Sequence, residues 1–451
     1  MAPARLPAAL KPARLPPQVL ETLRTLDRAG HRSWVVGGTV RDLLLGRPYA
    51  GAADVATPAT PQQVMALFPK VIPTGIEHGT VTVLAGEAKV EITTFRGEGR
   101  YLDGRRPSSV TFHTDLAEDL ARRDFTMNAL AWDPLAGELR DPFRGRADLR
   151  RRLIRAVGDA AARFAEDGLR PMRALRFVAQ LGYAVERATL AAIPAAAPVV
   201  RQVSAERVAD ELSKLLGAPH AARALRLLRE TGLLGVVLPP LGPLSPEVTA
   251  HAVEVAASAA ARHLGAGASA RPDLGVLRLA ALLHVVPAAD AARAIAALRL
   301  PGRTAAEVSA LLAERPCLLA APPLELPEDP RGVRRWLAAV TPARAPALLA
   351  LWEADAGHLG RGSRAAAAAL RRLRAMAART LRDRPPLSTA ELALDGRAVM
   401  DLLGLAPGPE VGEALRHLLS VVLDDPRRNR RAVLEEALRD WRAGRGAGPG
   451  K

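Results

Sequence analysis

The residue types and spacings best suited to chemistry lie near the N-terminus, between Val35 and Thr57, in VVGGTVRDLLLGRPYAGAADVAT. This stretch reads as a short buried strand (Trp34-Val35-Val36), a Gly37-Gly38 turn, a helix opening at Thr39 and a second strand carrying Asp54. Two glycines let a ligand come close to the backbone. The helix start offers N–H groups and a positive dipole end, which suit a phosphate, and Arg41 in the first turn would stand near the same anion. A GG pair before a helix can equally be a plain tight turn. What adds specificity is the carboxylate on the following strand, because phosphates and a carboxylate together imply a divalent metal.

Two further strings carry chemistry. In ARRDFTMNAL, Ala121 to Leu130, Arg123 can fork onto phosphate oxygens. Asp124 and Asn128 are four apart, on one face if the segment is helical, and could meet a ribose hydroxyl. A capped helix start with surface arginines would use the same residues. In RFAEDGLRPMRALRFVAQLG, Arg163 to Gly182, Asp167 and Arg170 are expected as i,i+3 neighbours on a helix. A carboxylate accepts from an exocyclic amine, and a guanidinium donates to a ring nitrogen. Cytosine and adenine both present an amine beside an unprotonated ring nitrogen; uracil and guanine present the reverse. One Asp–Arg pair can therefore select C and A without a nucleic-acid template. A solvent-facing ion pair would place the same two residues there.

GGTVRD followed by DVAT, with RRDFTMNA and EDGLRPMR downstream, resembles the class II tRNA nucleotidyltransferases. These are the CCA-adding enzymes and bacterial poly(A) polymerases of the DNA polymerase beta superfamily, with patterns GGxVRD, DxDxAT and EDxxRxxR. The resemblance implies addition of C and A to the 3′ end of tRNA from CTP and ATP, with Mg²⁺ as cofactor. It implies that Asp54 and, in KVEITTF, Glu91 are catalytic metal ligands. Gly37, Gly38, Arg41, Arg123, Asp124, Asn128, Asp167, Arg170, Arg173 and Arg176 then bind the nucleotide. RGEGRYLDGRRPSS, Arg96 to Ser109, resembles the family's flexible loop, whose presence favours addition of the terminal adenosine; otherwise it is a solvated basic loop.

One departure falls on a metal ligand. Where the family pattern has the first Asp of DxD, this chain reads Ala52-Ala53-Asp54. Two-metal nucleotidyl transfer needs carboxylates that bridge both ions. Ala52 therefore implies a natural loss of catalysis, compensation by another acid such as Asp42 or Glu77, or a deliberate substitution. Two other functions stay open: a catalytically impaired RNA-binding paralogue, and poly(A) addition. Relatives of one branch also carry a phosphohydrolase His-Asp site. Here the matching stretch reads Ala281-Leu282-Leu283-His284-Val285, a lone histidine on an apolar helix, expected as a core residue with no metal.

The elements that must position these residues follow from pattern and composition. The chain has 451 residues, 49% hydrophobic but only 3% aromatic, a mixture rich in Ala and Leu that favours helices. Lys and Arg number 63 against 47 acidic residues, a formal net charge of +16, which suits a polyanion such as RNA. A GC-rich genome that writes Arg and Ala throughout would give the same balance. With one cysteine, Cys317, no intrachain disulfide can form, and no apolar window is long enough to span a bilayer, so a cytoplasmic protein is expected. Oligomeric state is not legible. Thr80 to Phe95 reads as a hairpin of β-branched strands, and after residue 155 only helical patterns persist, broken by prolines near 239–246, 321–330 and 383–388. The expected fold class is α+β, a small mixed α/β nucleotidyltransferase head followed by a long all-helical neck, body and tail. The expected boundaries are a disordered leader over 1–17, the head over 18–155, the neck over 156–218, an RNA-binding body and tail over 219–442 and a disordered end over 443–451.

Overall fold

A computed structural model of the chain describes residues 6–49, 51–76, 79–95, 115–259, 273–314, 326–358 and 363–446. The loop over 96–109 and Glu77 lie outside the described residues. The chain separates into two compact units, Met1–Gly242 and Pro243–Lys451. No helix among the described residues is long and apolar enough to cross a membrane.

The first unit is built on a seven-stranded sheet of order β3-β4-β5-β2-β1-β6-β7. Its strands are β1 (Trp34–Val36), β2 (Ala52–Thr57), β3 (Val71–Gly75), β4 (Thr80–Ala85), β5 (Ala88–Thr94), β6 (Ala131–Asp133) and β7 (Glu138–Arg140). Only β2 and β5 pair in parallel. Strand β1 is central and wholly buried, as its apolar run Trp34-Val35-Val36 requires. Strands β4 and β5 form the expected hairpin, and β3, which contains Pro73, takes the sheet edge where a missing N–H is tolerated. Around the sheet lie α1 (Pro17–Arg28), α2 (Gly37–Leu44), α3 (Pro61–Leu67), α4 (Leu116–Ala121) and α5 (Gly145–Arg151). Helix α5 starts where Asp141 accepts from the N–H groups of Gly145 and Arg146, at 2.6 and 3.1 Å. A Cβ on Gly145 would stand 2.0 Å from the Thr126 carbonyl oxygen, so only glycine lets α5 lie against the Thr126–Asn128 turn.

Three expectations are corrected here. The leader is ordered from residue 6: Leu10 and Leu15 are buried, and Arg14 donates to the carbonyls of Leu43 and Arg47 at 3.1 and 3.0 Å. Pro and Arg composition alone hid these two apolar anchors. A strand does occur beyond residue 155: β9 (Ala184–Val185), which pairs in parallel with β8 (Leu153–Ile154). Two residues are too few for a period to show. The last helix, Arg431–Gly446, also runs into the segment expected as a disordered end.

Beyond the sheet, the first unit continues with α6 (Ala160–Glu166), α7 (Arg170–Leu181) and a neck helix, Ala205–Leu216. Helix α7 buries Met172, Leu175, Phe177 and Val178 and closes at Gly182 in the left-handed region. The second unit is helical among its described residues. It includes the helices Pro246–Ser258, Leu274–Leu283 and Ala345–Gly357, and a terminal cluster around Leu394, Val399, Leu418 and Leu434. His284, expected as a lone core histidine, instead stands beside His251 and Asp355. The helices that bring them together are too far apart in sequence for any local pattern to reveal it.

Candidate active site

Strand β1 delivers the chain straight into α2, so Gly37 follows the strand's last residue, Val36, and is the first helical residue. Its φ of +66° suits glycine. A Cβ here would lie 3.0 Å from Arg123 Nη1 and 3.3 Å from Asp54 Oδ2. The bare corner thus brings a guanidinium and a carboxylate together at a helix N-terminus. Gly38 follows, where a Cβ would make ordinary contact with Arg41 at 3.5 Å. Arg123 is fixed from behind by Asp119, whose fully buried carboxylate accepts from Arg122 and from Arg123 Nη2 at 3.1 Å. Burial alone would raise the Asp119 carboxyl; the two guanidiniums outweigh it and hold it below the usual range. Arg123 Nε is buried with no hydrogen-bond partner among the described residues.

Asp54 and Glu91 are in register across the parallel pair β2–β5, so both side chains leave the same face of the sheet. Asp54 is half-buried and Glu91 exposed. Burial raises the Asp54 carboxyl, Arg123 opposes that shift and the Glu91 charge adds to it. Two neighbouring carboxylates beside a helix N-terminus fit one divalent cation. Ala52, two residues before Asp54 and exposed on the same face, contributes no oxygen, and its in-register partner is Lys89. The residues present therefore fit one ion held by Asp54 and Glu91 and lack the bridging carboxylate of a two-ion centre. Asp42 is no replacement, because both prongs of Arg41 hold it at 3.0 and 2.9 Å and Arg47 approaches at 3.5 Å.

A buried relay runs from this corner into the neck. Arg41 donates to Asn128 Oδ1 at 2.8 Å, Asn128 donates to Asp124 Oδ1 at 3.0 Å, and Arg173 Nε donates to Asp124 Oδ2 at 2.8 Å. Arg173 also approaches Glu211 at 3.8 Å, and Glu211 accepts from Arg176. The guanidiniums of Arg176, Arg41 and Arg173 lie 4.0, 5.1 and 5.7 Å from the Phe177 ring centre, within cation–π range. Burial would push the Asp124 carboxyl up, but Arg173, Asn128 and the Phe125 N–H hold it at about 2. Asp124 and Asn128 do meet, in a 3₁₀ turn over Thr126–Asn128 rather than along an α-helix. Arg41, expected at a phosphate, is buried and spends its donors on Asp42 and Asn128. A cavity of about 500 Å³ opens beside it, lined by Arg41, Asp42, Arg47, Gln180 and Lys214.

Asp167 and Arg170 are not successive turns of one helix. Asp167 ends α6 in extended conformation and Arg170 begins α7. Asp167 instead accepts from the Leu169 N–H at 3.0 Å and faces Arg207 at 3.3 Å. Arg170 donates to Glu166 and to the carbonyls of Arg163 and Arg122 at 2.7, 2.8 and 2.7 Å. The helix break follows from Gly168 ahead of a helix with Pro171 at its second position. Pattern reading did not find Glu211, Phe177 or Asp119, which hold the arginines. Nor did it find Tyr49, whose buried hydroxyl is pushed up by burial and by the nearby Asp54 charge. Glu211 was visible only as one carboxylate within the expected neck, 156–218.

A mixed sheet that sets paired carboxylates beside a glycine-opened helix, followed by helices that carry an arginine relay, defines a template-independent nucleotidyltransferase. Family models agree: residues 33–155 match the poly A polymerase head domain, and residues 182–243 match the probable RNA and SrmB-binding site of polymerase A. The CCA-adding enzyme of Geobacillus thermodenitrificans (strain NG80-2) is 41% identical over 407 residues, covering 90% of this chain and 92% of that protein. The CCA-adding enzyme of Geobacillus stearothermophilus is 45% identical over 295 residues, covering 65% of this chain and 69% of that protein. The crystal structure of Bacillus stearothermophilus CCA-adding enzyme in complex with CTP is 35% identical, with a TM-score of 0.72, covering 96% of this chain and 100% of that chain. The Thermotoga maritima CCA-adding enzyme, 21% identical with a TM-score of 0.65, shares the fold over 95% of this chain and 97% of its own. The chain belongs to the CCA-adding enzyme family.

Proposed function

We propose that this protein adds C and A to the 3′ end of tRNA, using CTP and ATP, with a divalent ion, Mg²⁺, held by Asp54 and Glu91. The observation that carries the proposal is the Gly37 corner, where Asp54 and Arg123 meet at the opening of α2. In this reading the triphosphate lies against the Gly37-Gly38 backbone, beside Arg123 Nη1 at the same corner. The ion, when bound, would lower the pKa of the attacking 3′-hydroxyl and neutralise triphosphate charge. The relay through Asn128, Asp124 and Arg173 fixes the arginines so that little side-chain entropy is lost on binding. Arg176 and Glu211 position Phe177 and Arg173 rather than touch the base.

Base selection falls to Asp167 and Arg170. Arg170 is locked by three bonds, and among the described residues its Nε–H and one Nη2–H are left for a ring nitrogen. The exposed Asp167–Arg207 pair is weak and easily exchanged for an exocyclic amine. Replacing Asp167 by alanine is expected to reduce the preference for CTP and ATP over UTP and GTP by at least ~10-fold, one lost hydrogen bond to a charged group. Competition among the four labelled nucleotides measures it; full discrimination at normal turnover would remove Asp167 from the role.

Incubation of the protein with tRNA lacking CCA and each labelled nucleotide tests the function itself. Incorporation that stops at CCA supports the proposal. An A-tract indicates poly(A) addition. Binding with no incorporation indicates an RNA-binding paralogue. Affinity for tRNA is expected to fall about 10³-fold between 50 and 200 mM salt, since a +16 chain would bind chiefly through phosphates. Filter binding across a salt series checks this, and a flat profile points to another partner.

A further inference from the structure

We propose that Lys89 is a further nucleotide-binding residue, whose ammonium supplies the triphosphate with positive charge that a second ion would bring if residue 52 were a carboxylate. Its role rests on the reading of the Gly37 corner as a nucleotide site. Strands β2 and β5 run in parallel, with Ala52 opposite Lys89 and Asp54 opposite Glu91. Side chains alternate along a strand, so these four leave one face of the sheet. Ala53, Val55, Val90 and Ile92 turn into the core on the other. Neighbouring strands stand ~4.8 Å apart and same-face residues ~6.6 Å apart along a strand, which puts the Lys89 and Asp54 Cα atoms about 8 Å apart on the diagonal. The long, flexible stem of a lysine spans that gap.

The corner is short of positive charge on its sheet side. Asp54 and Glu91 take up the charge of the one ion they fit. Arg41 spends its donors on Asp42 and Asn128. Arg123 reaches the corner from the Gly37 side, with Asp119 bound behind it. Lys89 is the one basic residue of β2 and β5, is exposed, and makes no hydrogen bond or ion pair among the described residues.

An exposed lysine on a strand is often a charge that protects a sheet edge. Strand β5 has no free edge, since it lies between β4 and β2. Its lysine instead faces the position without a carboxylate. An aspartate at position 52 would pair with Lys89 across the strands, whereas Ala52 leaves the ammonium to an outside anion. A lysine does only part of an ion's work. It offers N–H donors and a point charge to phosphate oxygens. It does not coordinate the attacking 3′-hydroxyl or lower its pKa. Lys89 therefore holds the triphosphate without replacing the missing ligand's part in the chemistry.

Isothermal titration calorimetry with CTP, in EDTA and in Mg²⁺, tests this on the full chain. In EDTA, Lys89→Met is expected to weaken CTP binding ~10-fold, one charged hydrogen bond, and Lys89→Arg to keep it within ~2-fold of the wild type. In Mg²⁺ the loss in Lys89→Met should persist, yet shrink below ~2-fold once Ala52→Asp is added to both proteins. Circular dichroism checks that every variant is folded. Equal CTP affinity in the wild type and Lys89→Met overturns the proposal. So does an undiminished loss in the Ala52→Asp background, which would make Lys89 a phosphate contact unrelated to the missing carboxylate. A folded wild type that binds tRNA but no CTP removes the nucleotide reading itself, and the role of Lys89 with it.

Discussion

Replacing Ala52 by aspartate is expected to raise the single-turnover rate of nucleotide addition by about 10²–10⁴-fold, while tRNA affinity changes little. A single preorganised group at the reacting charge is typically worth 10²–10³ in rate, and each ~1.4 kcal/mol is tenfold. Ala52 is exposed on strand β2, on the same face as Asp54 and Glu91, so a carboxylate introduced there stands beside the two present. Lys89, its in-register neighbour, offsets part of the added negative charge. Nothing in the fold has to move, since an exposed strand position accepts the larger side chain. Rates with CTP and Mg²⁺ for the two proteins decide the matter. Equal and fast rates would show that another acid already serves. Equal and undetectable rates would show that the site has decayed beyond one residue, as a paralogue that only binds RNA would.

The fold class was legible because its signals are local. The apolar run Trp34-Val35-Val36 gives β1, the β-branched run Thr80 to Thr94 gives a hairpin, and the Ala- and Leu-rich remainder gives helices. The corner at Gly37 was legible in kind, since glycines before a helix and a carboxylate on the next strand belong to one local unit. The pairing of Asp54 with Glu91 rested on the family resemblance, and the parallel register of β2 and β5 places them side by side. What sequence could not show was long-range. Arg41 was expected at a phosphate, yet Asn128, 87 residues later, accepts from it. Glu211 meets Arg176 across 35 residues. The His251–Asp355 contact spans 104 residues, and no periodicity reports such a distance. The expected helix contact of Asp167 with Arg170 failed differently: an i,i+3 spacing is a helix contact only when the helix is continuous, and Gly168 ends that condition.

Replacing Asp124 by alanine is expected to destabilise the first unit by about 3–5 kcal/mol, because the change strands a buried charge. Arg173 is left facing Glu211 at 3.8 Å as its remaining carboxylate, Asn128 loses its acceptor, and Arg41 loses the fixed amide it donates to. For a unit of this size the loss corresponds to a Tm lower by about 10 °C. Asp124→Asn should cost less, since the amide keeps an acceptor for Asn128 but no charge for Arg173. The same carboxylate sets a pH dependence. Its pKa is about 2 in the fold against an ordinary 3.8, so the folded state binds the proton less tightly than the unfolded chain. The stabilisation is therefore complete above pH ~4 and is lost as pH falls toward ~2; a shift of nearly two units is worth about 2 kcal/mol. Urea unfolding of the wild type and Asp124→Asn between pH 2 and 7 measures it. The two stability curves should converge at the acid end, draw apart between pH ~2 and ~4, and keep a constant gap above that. Parallel curves, or an alanine variant as stable and as active as the wild type, would show that the relay does not hold the arginines in place.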